Sequence, residues 1–389
     1  MIMLSLGLNL IRMTQQMKKM AYFFGLLIVP LFAQAKTLDA QLQESIQAWK
    51  TKQGIPAISI TIQKLDQSQP LTLLMGTKTL HGKEKINSQT LFQIGSITKT
   101  FVSILILQLE AEGKLNINDP IGLWLPEYPR WQNITIKELL NMRSGIYNYT
   151  ETMDTRRFST QEKRKIRSAT ELINYAYQHP DYFTPGTQWH YSNTNYLLAG
   201  LLLERVSGQP LEKLLKERIL DQYQLSNTFY YPVSYPSHIL KRMAHGYRDQ
   251  RDTTFISPSF FGSAGCMISS SSDLAKWTHL LFTGAVLPVK QQREFMNSIP
   301  FPDNPPKPAH SAFGLGIYVT EDPQLGKLWW YSGVTSGYIA VIVWIPSQAA
   351  IISANINRWQ GEHYGVLVPK QEFLNTVIKD LKENKFLSI

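Results

Sequence analysis

One stretch constrains this chain more than any other: Phe101-Val102-Ser103-Ile104-Leu105-Ile106-Leu107. It follows Gly95 and runs to Gly113-Lys114-Leu115 as a helix that is apolar nearly all round. Such a helix has no face to offer water, so the fold must enclose it on most sides. Its first residues carry chemistry. Ser96-Ile97-Thr98-Lys99 puts a hydroxyl and a primary amine three positions apart, which makes them neighbours on a helix surface. If the helix begins at Ser96, Oγ and Nζ meet at a terminus whose free N–H groups favour a developing oxyanion. A serine hydroxyl needs a neighbour to take its proton, and a lysine desolvated by apolar surroundings can be neutral enough to do so.

A chain of 389 residues suffices for one large domain or two modest ones. With 43% hydrophobic and 17% charged residues it is a folded globular protein. Its net charge is +10, but the basic residues are scattered apart from Arg156-Arg157 and Lys163-Arg164-Lys165-Ile166-Arg167. No nucleic-acid motif accompanies them, so no nucleic-acid partner is expected, and an anionic cell envelope suits the charge. The basic segment itself reads as a solvated helix face or surface loop.

The N-terminus has the pattern of an export signal. Lys18-Lys19 precede an apolar run from Ala21 to Phe32, and Ala33-Gln34-Ala35 offers a small-x-small cleavage site. The run is shorter than the ~20 residues that span a bilayer, and Pro30 interrupts it. Residues 1–35 are therefore expected to be a signal peptide, with Met17 the more ordinary start and the mature protein periplasmic or secreted. Membrane contact is expected only through an uncleaved signal. Cys266 is the only cysteine, so no intramolecular disulfide can form, and its small, apolar setting suits a buried thiol. There is no His-Glu-x-x-His, paired Cys-x-x-Cys, Gly-x-Ser-x-Gly or phosphate loop, so neither a metal nor an organic cofactor is expected.

Along the chain, Leu38, Leu42, Ile46 and Trp49 recur at helical period up to Gly54-Ile55-Pro56. Ala57 to Gln63 and Leu71 to Gly76 read as a strand hairpin. Helices are expected over Thr135 to Met142, Ala169 to His179 and Tyr196 to Val206, and at a capped start around Ser272-Asp273 with Asp273 as cap. Strands return at Phe313 to Val319, Leu328 to Tyr331, Gly337 to Trp344 and Ala350 to Ile356, before a last helix from Gln371 to Lys382. This order predicts an α/β (α+β type) fold: an antiparallel sheet from both chain ends, flanked by helices, with a mostly helical region inserted between them. The sheet region is expected over 36–95 and 300–389, and the helical region over 96–299, in one domain.

In order along the chain, several stretches resemble the penicillin-recognising serine hydrolases. The similarity is greatest to the branch holding class C β-lactamases, serine D-Ala-D-Ala carboxypeptidases and related esterases. They are Gly95 to Phe101, Leu107 to Leu115, Asp119-Pro120, Leu139 to Gly145, Pro185-Gly186, Tyr191-Ser192-Asn193, Gly262 to Trp277, and Ser332-Gly333 with Gly337-Tyr338. The resemblance covers residues 40 to 356 and implies a β-lactamase/transpeptidase-like catalytic domain. It makes Ser96 the nucleophile, with Lys99 and Tyr191 handling protons, and gives Asn193 the task of holding Lys99 and a substrate carbonyl. It also implies an oxyanion hole from the N–H groups of Ser96 and Val334, with Tyr331, Ser332 and Gly333 on the substrate-binding strand.

Tyr331 departs from the pattern, which has Lys or His there. A cation at that position would attract a substrate carboxylate, and a phenol does not. The expected activity is thus an exported acyl-enzyme hydrolase of a small peptide, β-lactam or ester, D-alanyl-D-alanine carboxypeptidase-like or β-lactamase-related, with peptidoglycan a possible partner. The departure favours a peptidase or esterase over a proficient β-lactamase. The reading from another class is a non-catalytic envelope protein that binds peptidoglycan or a partner in the same cleft. His190 is expected to pack behind Tyr191, and Trp329-Trp330 to line the core or cleft wall.

Overall fold

The layering follows from alternation in the first strand. Along Ala57–Lys64, Ile58, Ile60 and Ile62 point to one face and Ser59 and Thr61 to the other, and all five are buried. Both faces of this strand are therefore covered, one by apolar and one by polar neighbours. The computed structural model describes residues 37–153, 158–301, 311–359 and 368–387; the export signal and Arg156-Arg157 lie outside them.

The main sheet has eight strands: β1 (Ala57–Lys64), β2 (Leu71–Gly76), β3 (Ile299–Pro300), β4 (Ser311–Phe313), β5 (Tyr318–Asp322), β6 (Gly326–Val334), β7 (Ile339–Ile345) and β8 (Ala350–Ile356). Their spatial order is β2-β1-β8-β7-β6-β5-β4-β3, antiparallel throughout. Five helices frame it: α1 (Leu38–Lys52), α2 (Thr98–Ala111), α3 (Asn193–Ser207), α4 (Ser271–Phe282) and α5 (Val368–Glu383). The sheet is thus drawn from both ends of the chain, and the intervening residues build the other layer, giving a mixed α/β fold.

On one face, α1 and α5 bury the isoleucines of β1. In α1 the Thr37 side chain caps the first turn, and Leu42, Ile46 and Trp49 form the buried stripe. Trp49 meets Phe373 of α5 at 5.1 Å between ring centres. On the other face, Ser59 and Thr61 hydrogen-bond Ser271 at the start of α4 at 2.7 and 2.9 Å. Behind α4 lies the helix that opened the sequence argument. Every residue of α2 from Thr98 to Leu107 is buried, and Phe101 stacks on Trp277 of α4 at 4.0 Å.

Several expected elements shift. The segment Phe313 to Val319 is two strands, because Gly314 N–H bonds Ile317 O at 2.8 Å and closes a turn between them. At Gly316 (φ +87°) a Cβ would stand 2.6 Å from Tyr196 Oη, so the chain turns where it squeezes past α3. Helix α3 begins at Asn193, three residues before the apolar run, because a loop side chain satisfies its first N–H. Asp273 is not the cap of α4: Ser270 caps it, accepting from Asp273 N–H at 3.2 Å. The Asp273 carboxylate instead accepts from Asn227 N–H at 2.7 Å and Thr228 Oγ1 at 2.9 Å, fastening a short strand over the helix. That strand, Thr228–Tyr230, pairs with Met267–Ser269, which also pairs Phe92–Gln93. Strands of two or three residues carry too little alternation to be read from sequence.

Candidate active site

Ser96 does not open the α-helix. It sits in a 3-10 turn, Gly95–Ile97, that runs directly into α2 at Thr98. The reason is close backbone contact with β6. Gly95 has φ +49°, and a Cβ there would lie 2.7 Å from Val334 N; a Cβ on Gly333 would lie 1.7 Å from Ile94 O and 2.8 Å from Ser96 N. Only glycine fits either position. Thr335 N–H bonds Tyr338 O, so the alternation of the antiparallel ladder turns the Val334 N–H away from β7. The N–H groups of Ser96 and Val334 are thereby gathered where the two backbones meet.

Lys99 reaches Ser96 from the first turn of α2. Its side chain is fully buried, and Nζ lies 3.0 Å from Ser96 Oγ, 2.8 Å from Asn193 Oδ1 and 2.7 Å from Ala264 O. The faces of Tyr191 and Tyr196 close over it at 5.0 and 5.5 Å. No carboxylate pairs with it among the described residues, and burial holds its pKa well below the usual lysine range. The donor count agrees with a neutral amine. Two carbonyl oxygens take two N–H groups, and the lone pair is left facing the serine hydroxyl.

Tyr191 stands on the opposite side of Ser96 and donates its hydroxyl to Oγ at 2.7 Å. Burial pushes its pKa up to about 12, against the opposing bonds to Ser96 and Tyr331. Burial disfavours the charged form of both groups: the phenol is held protonated and the amine is pushed toward its neutral form. Of the two groups beside Ser96, the lysine is the one able to accept a proton. Asn193, at the first turn of α3, turns Oδ1 to Lys99 and Nδ2 to Thr150 Oγ1 at 3.0 Å.

The strand expected to bind substrate is β6. Tyr331 faces Ser96's side of the sheet, fully buried between Phe313 and Tyr318 at 6.1 and 5.4 Å, with its hydroxyl 3.5 Å from that of Tyr191. It fills the position with an uncharged, desolvated ring. Ser332 has the strand parity of Trp330 and Val334, which pack toward α1 and α5. Trp330 stacks on Tyr318 at 4.7 Å and Trp329 is buried beside Phe282, so both tryptophans are packing residues.

His190 points away from Ser96: Tyr182 stacks on it at 4.0 Å and Glu151 lies 3.5 Å from Nε2. Arg167, at the end of the basic segment, is buried with its guanidinium 4.8 Å from the Phe158 ring and bonded to Glu162 O. It is a packing residue, not a solvated one. Cys266 is buried, and desolvation raises its thiol well above the reactive range. Sequence reasoning missed Ala264 O, Thr150 and Asn148, whose roles depend on contacts across the fold. The one available signal was the polar pair Asn148 and Thr150 shortly after the apolar Ile146-Tyr147.

Comparison with known proteins identifies the family and the fold. The family described as Beta-lactamase matches residues 38–374. Protein flp of Staphylococcus aureus is 28% identical over 360 residues, which cover 89% of this chain and 66% of that protein. The chain thus spans just under two thirds of the length of that curated relative. Among solved structures, a D-stereospecific amidohydrolase from Streptomyces sp. is 27% identical with a TM-score of 0.74, covering 88% of this chain and 97% of the other. The D-amino acid amidase of Ochrobactrum anthropi SV3, complexed with L-phenylalanine amide, shares the fold at 23% identity with a TM-score of 0.78, covering 90% and 99%. This chain belongs to the beta-lactamase family of serine hydrolases.

Proposed function

We propose that this protein is an exported serine hydrolase that cleaves an amide or ester through an acyl-enzyme on Ser96. The observation that carries the reading is Lys99: a fully buried amine, bonded to two carbonyl oxygens and no carboxylate, 3.0 Å from the serine. As Ser96 Oγ bonds to the substrate carbonyl carbon, its proton passes to Lys99 Nζ. The negative charge that develops on the carbonyl oxygen is met by the N–H groups of Ser96 and Val334. Tyr191 gives its proton to the departing amine or alcohol, and the ammonium of Lys99 returns one to the phenolate, which restores both groups. Water then attacks the ester carbon, releases the acid and restores Ser96, with the protons moving back along the same groups.

The substrate class follows from Tyr331. A neutral buried phenol supplies no charge for a terminal carboxylate, so the reading favours amides and esters whose acyl or leaving end is uncharged there. The D-stereospecific amidohydrolase that is 27% identical to this chain supports amide cleavage as one such activity. Export rests on the Lys18-Lys19, apolar and Ala33-Gln34-Ala35 pattern. Labelling with a fluorescent fluorophosphonate tests the nucleophile: wild type is expected to label and Ser96→Ala is not, and equal labelling of the two would overturn the assignment. A non-catalytic binding protein would leave both unlabelled. Turnover of a D-amino acid amide, a short acyl ester, a D-Ala-D-Ala peptide and nitrocefin then ranks the substrates, and nitrocefin as the best of the four would refute the role given to Tyr331. Fractionation with sequencing of the mature N-terminus tests export.

A further inference from the structure

Asn193 must face Lys99 with its oxygen for the lysine lone pair to be left to Ser96. Nothing in an amide side chain fixes that choice, since its oxygen and nitrogen ends have nearly the same shape. Turned round, the amide would present an N–H to Nζ and compete with the serine hydroxyl for the lone pair. The loop before α3 contains what sets the orientation. Asn193 backbone N–H bonds Asn148 Oδ1 at 3.0 Å, and a backbone N–H can only donate, so that atom is the carbonyl oxygen. Thr150 Oγ1 stands 3.0 Å from the same oxygen and must donate its proton to it. With its single proton spent, Thr150 Oγ1 can only accept from Asn193, at 3.0 Å, which requires Nδ2 there and Oδ1 toward Lys99.

We propose that Thr150 is a positioning residue for acylation: held by Asn148, its hydroxyl locks the Asn193 amide so that the Lys99 lone pair is directed at Ser96. The inference rests on the acyl-enzyme reading above, and it adds a direction to it. Hydrogen bonds of one polarity run from Lys99 to the Asn193 amide, to Thr150 and to the Asn148 oxygen, where the Asn193 backbone N–H donates from the other side and fixes that atom as the acceptor. The second N–H of Asn193 Nδ2 remains for a substrate carbonyl.

The experiment measures fluorophosphonate acylation rates against pH for wild type, Ser96→Ala, Thr150→Val, Thr150→Ala and Thr150→Ser, with thermal melts alongside. Thr150→Val and Thr150→Ala are expected to lose about tenfold or more in plateau rate, within the range of a general-base contribution. Thr150→Ser is expected to stay within about threefold of wild type, since it keeps both the donor and the acceptor. The acid-side midpoint should hold or move down in the two variants without the hydroxyl, because a turned amide favours the neutral amine. Mere loosening of the loop would admit water, favour the ammonium and move that midpoint up. An upward shift, an unchanged plateau in Thr150→Ala, or an equal loss in Thr150→Ser would overturn the proposal. Thr150→Ala removes the hydroxyl without adding bulk, so it carries the test if Thr150→Val does not fold. Failure of the acyl-enzyme reading itself is distinct: wild type and Ser96→Ala would then label alike.

Discussion

The two faces of the main sheet use burial for opposite ends. Under α1 and α5 the sheet buries Ile58, Ile60 and Ile62 against Leu42, Ile46 and Phe373, and each contact there is apolar packing. On the other face burial falls on Lys99, Tyr331 and the hydroxyls of Ser59, Thr61 and Ser271, with Tyr191 half-buried beside them. The first arrangement yields stability in proportion to apolar area. The second accepts desolvation in order to hold an amine neutral and a phenol protonated on either side of one serine. Stability and chemistry are therefore separable by face, and mutations should separate them.

The largest effect is expected from Lys99→Met. Loss of the base should lower the acylation rate by about 10²- to 10⁴-fold, as measured by labelling kinetics. Its stability signature carries a sign. Burial lowers the Lys99 pKa from 10.5, so the unfolded chain binds this proton more readily, and wild type loses stability as pH falls below that value toward the folded pKa. The melting temperature of Lys99→Met relative to wild type should accordingly improve as pH is lowered from 10.5, and a pH-independent difference would contradict a desolvated amine. The acylation rate of wild type should hold over that descent and fall only as pH passes through the depressed folded pKa, where Lys99 takes up its proton.

Ile60→Ala should do the reverse. It opens a cavity in the apolar face and is expected to cost about 2–5 kcal/mol in denaturant unfolding. The labelling rate per folded molecule should stay at the wild-type value; a matching loss of rate would mean that the faces are coupled. Gly333→Ala should act on the site in turn. A Cβ 1.7 Å from Ile94 O must push β6 away from the Ser96 turn. Displacing one oxyanion donor is expected to lower the acylation rate by about 10²-fold. The smallest effect belongs to Tyr331→Phe, which removes one long hydroxyl contact at 3.5 Å. That contact lowers the Tyr191 pKa, so its loss should move any alkaline limb of the rate profile upward while the plateau changes by about threefold or less.

The pairing of Ser96 with Lys99 was legible because it is local. A spacing of three along one turn brings Oγ and Nζ together in a helix or 3-10 turn alike, so the shift of the α-helix start from Ser96 to Thr98 left the pair intact. Tyr191 and Asn193 were found through order in the chain, matched to a family pattern, since nothing local ties them to Ser96. Asp273 was misassigned as a cap because the helix begins at Ser271, which puts Ser270 at the N-cap and makes Asp273 N–H the donor that is capped. Arg167 read as solvated, since a charge run says nothing about aromatic rings brought over it from Phe158 and Phe260.

By itself the sequence determined that one apolar helix had to be enclosed, that a serine and an amine would travel with it, and that an antiparallel sheet would form from both chain ends. Those features depend on composition and short-range periodicity, which survive without knowledge of distant neighbours. Tertiary structure decided the protonation and the direction of the site. Lys99 is pushed toward its neutral form because tyrosines from α3 and the segment before it close over the amine, and Ala264, Asn193 and, through Thr150, Asn148 claim its other hydrogen-bonding positions and leave one side to Ser96. Desolvation and hydrogen-bond polarity arise only when segments far apart in the chain meet.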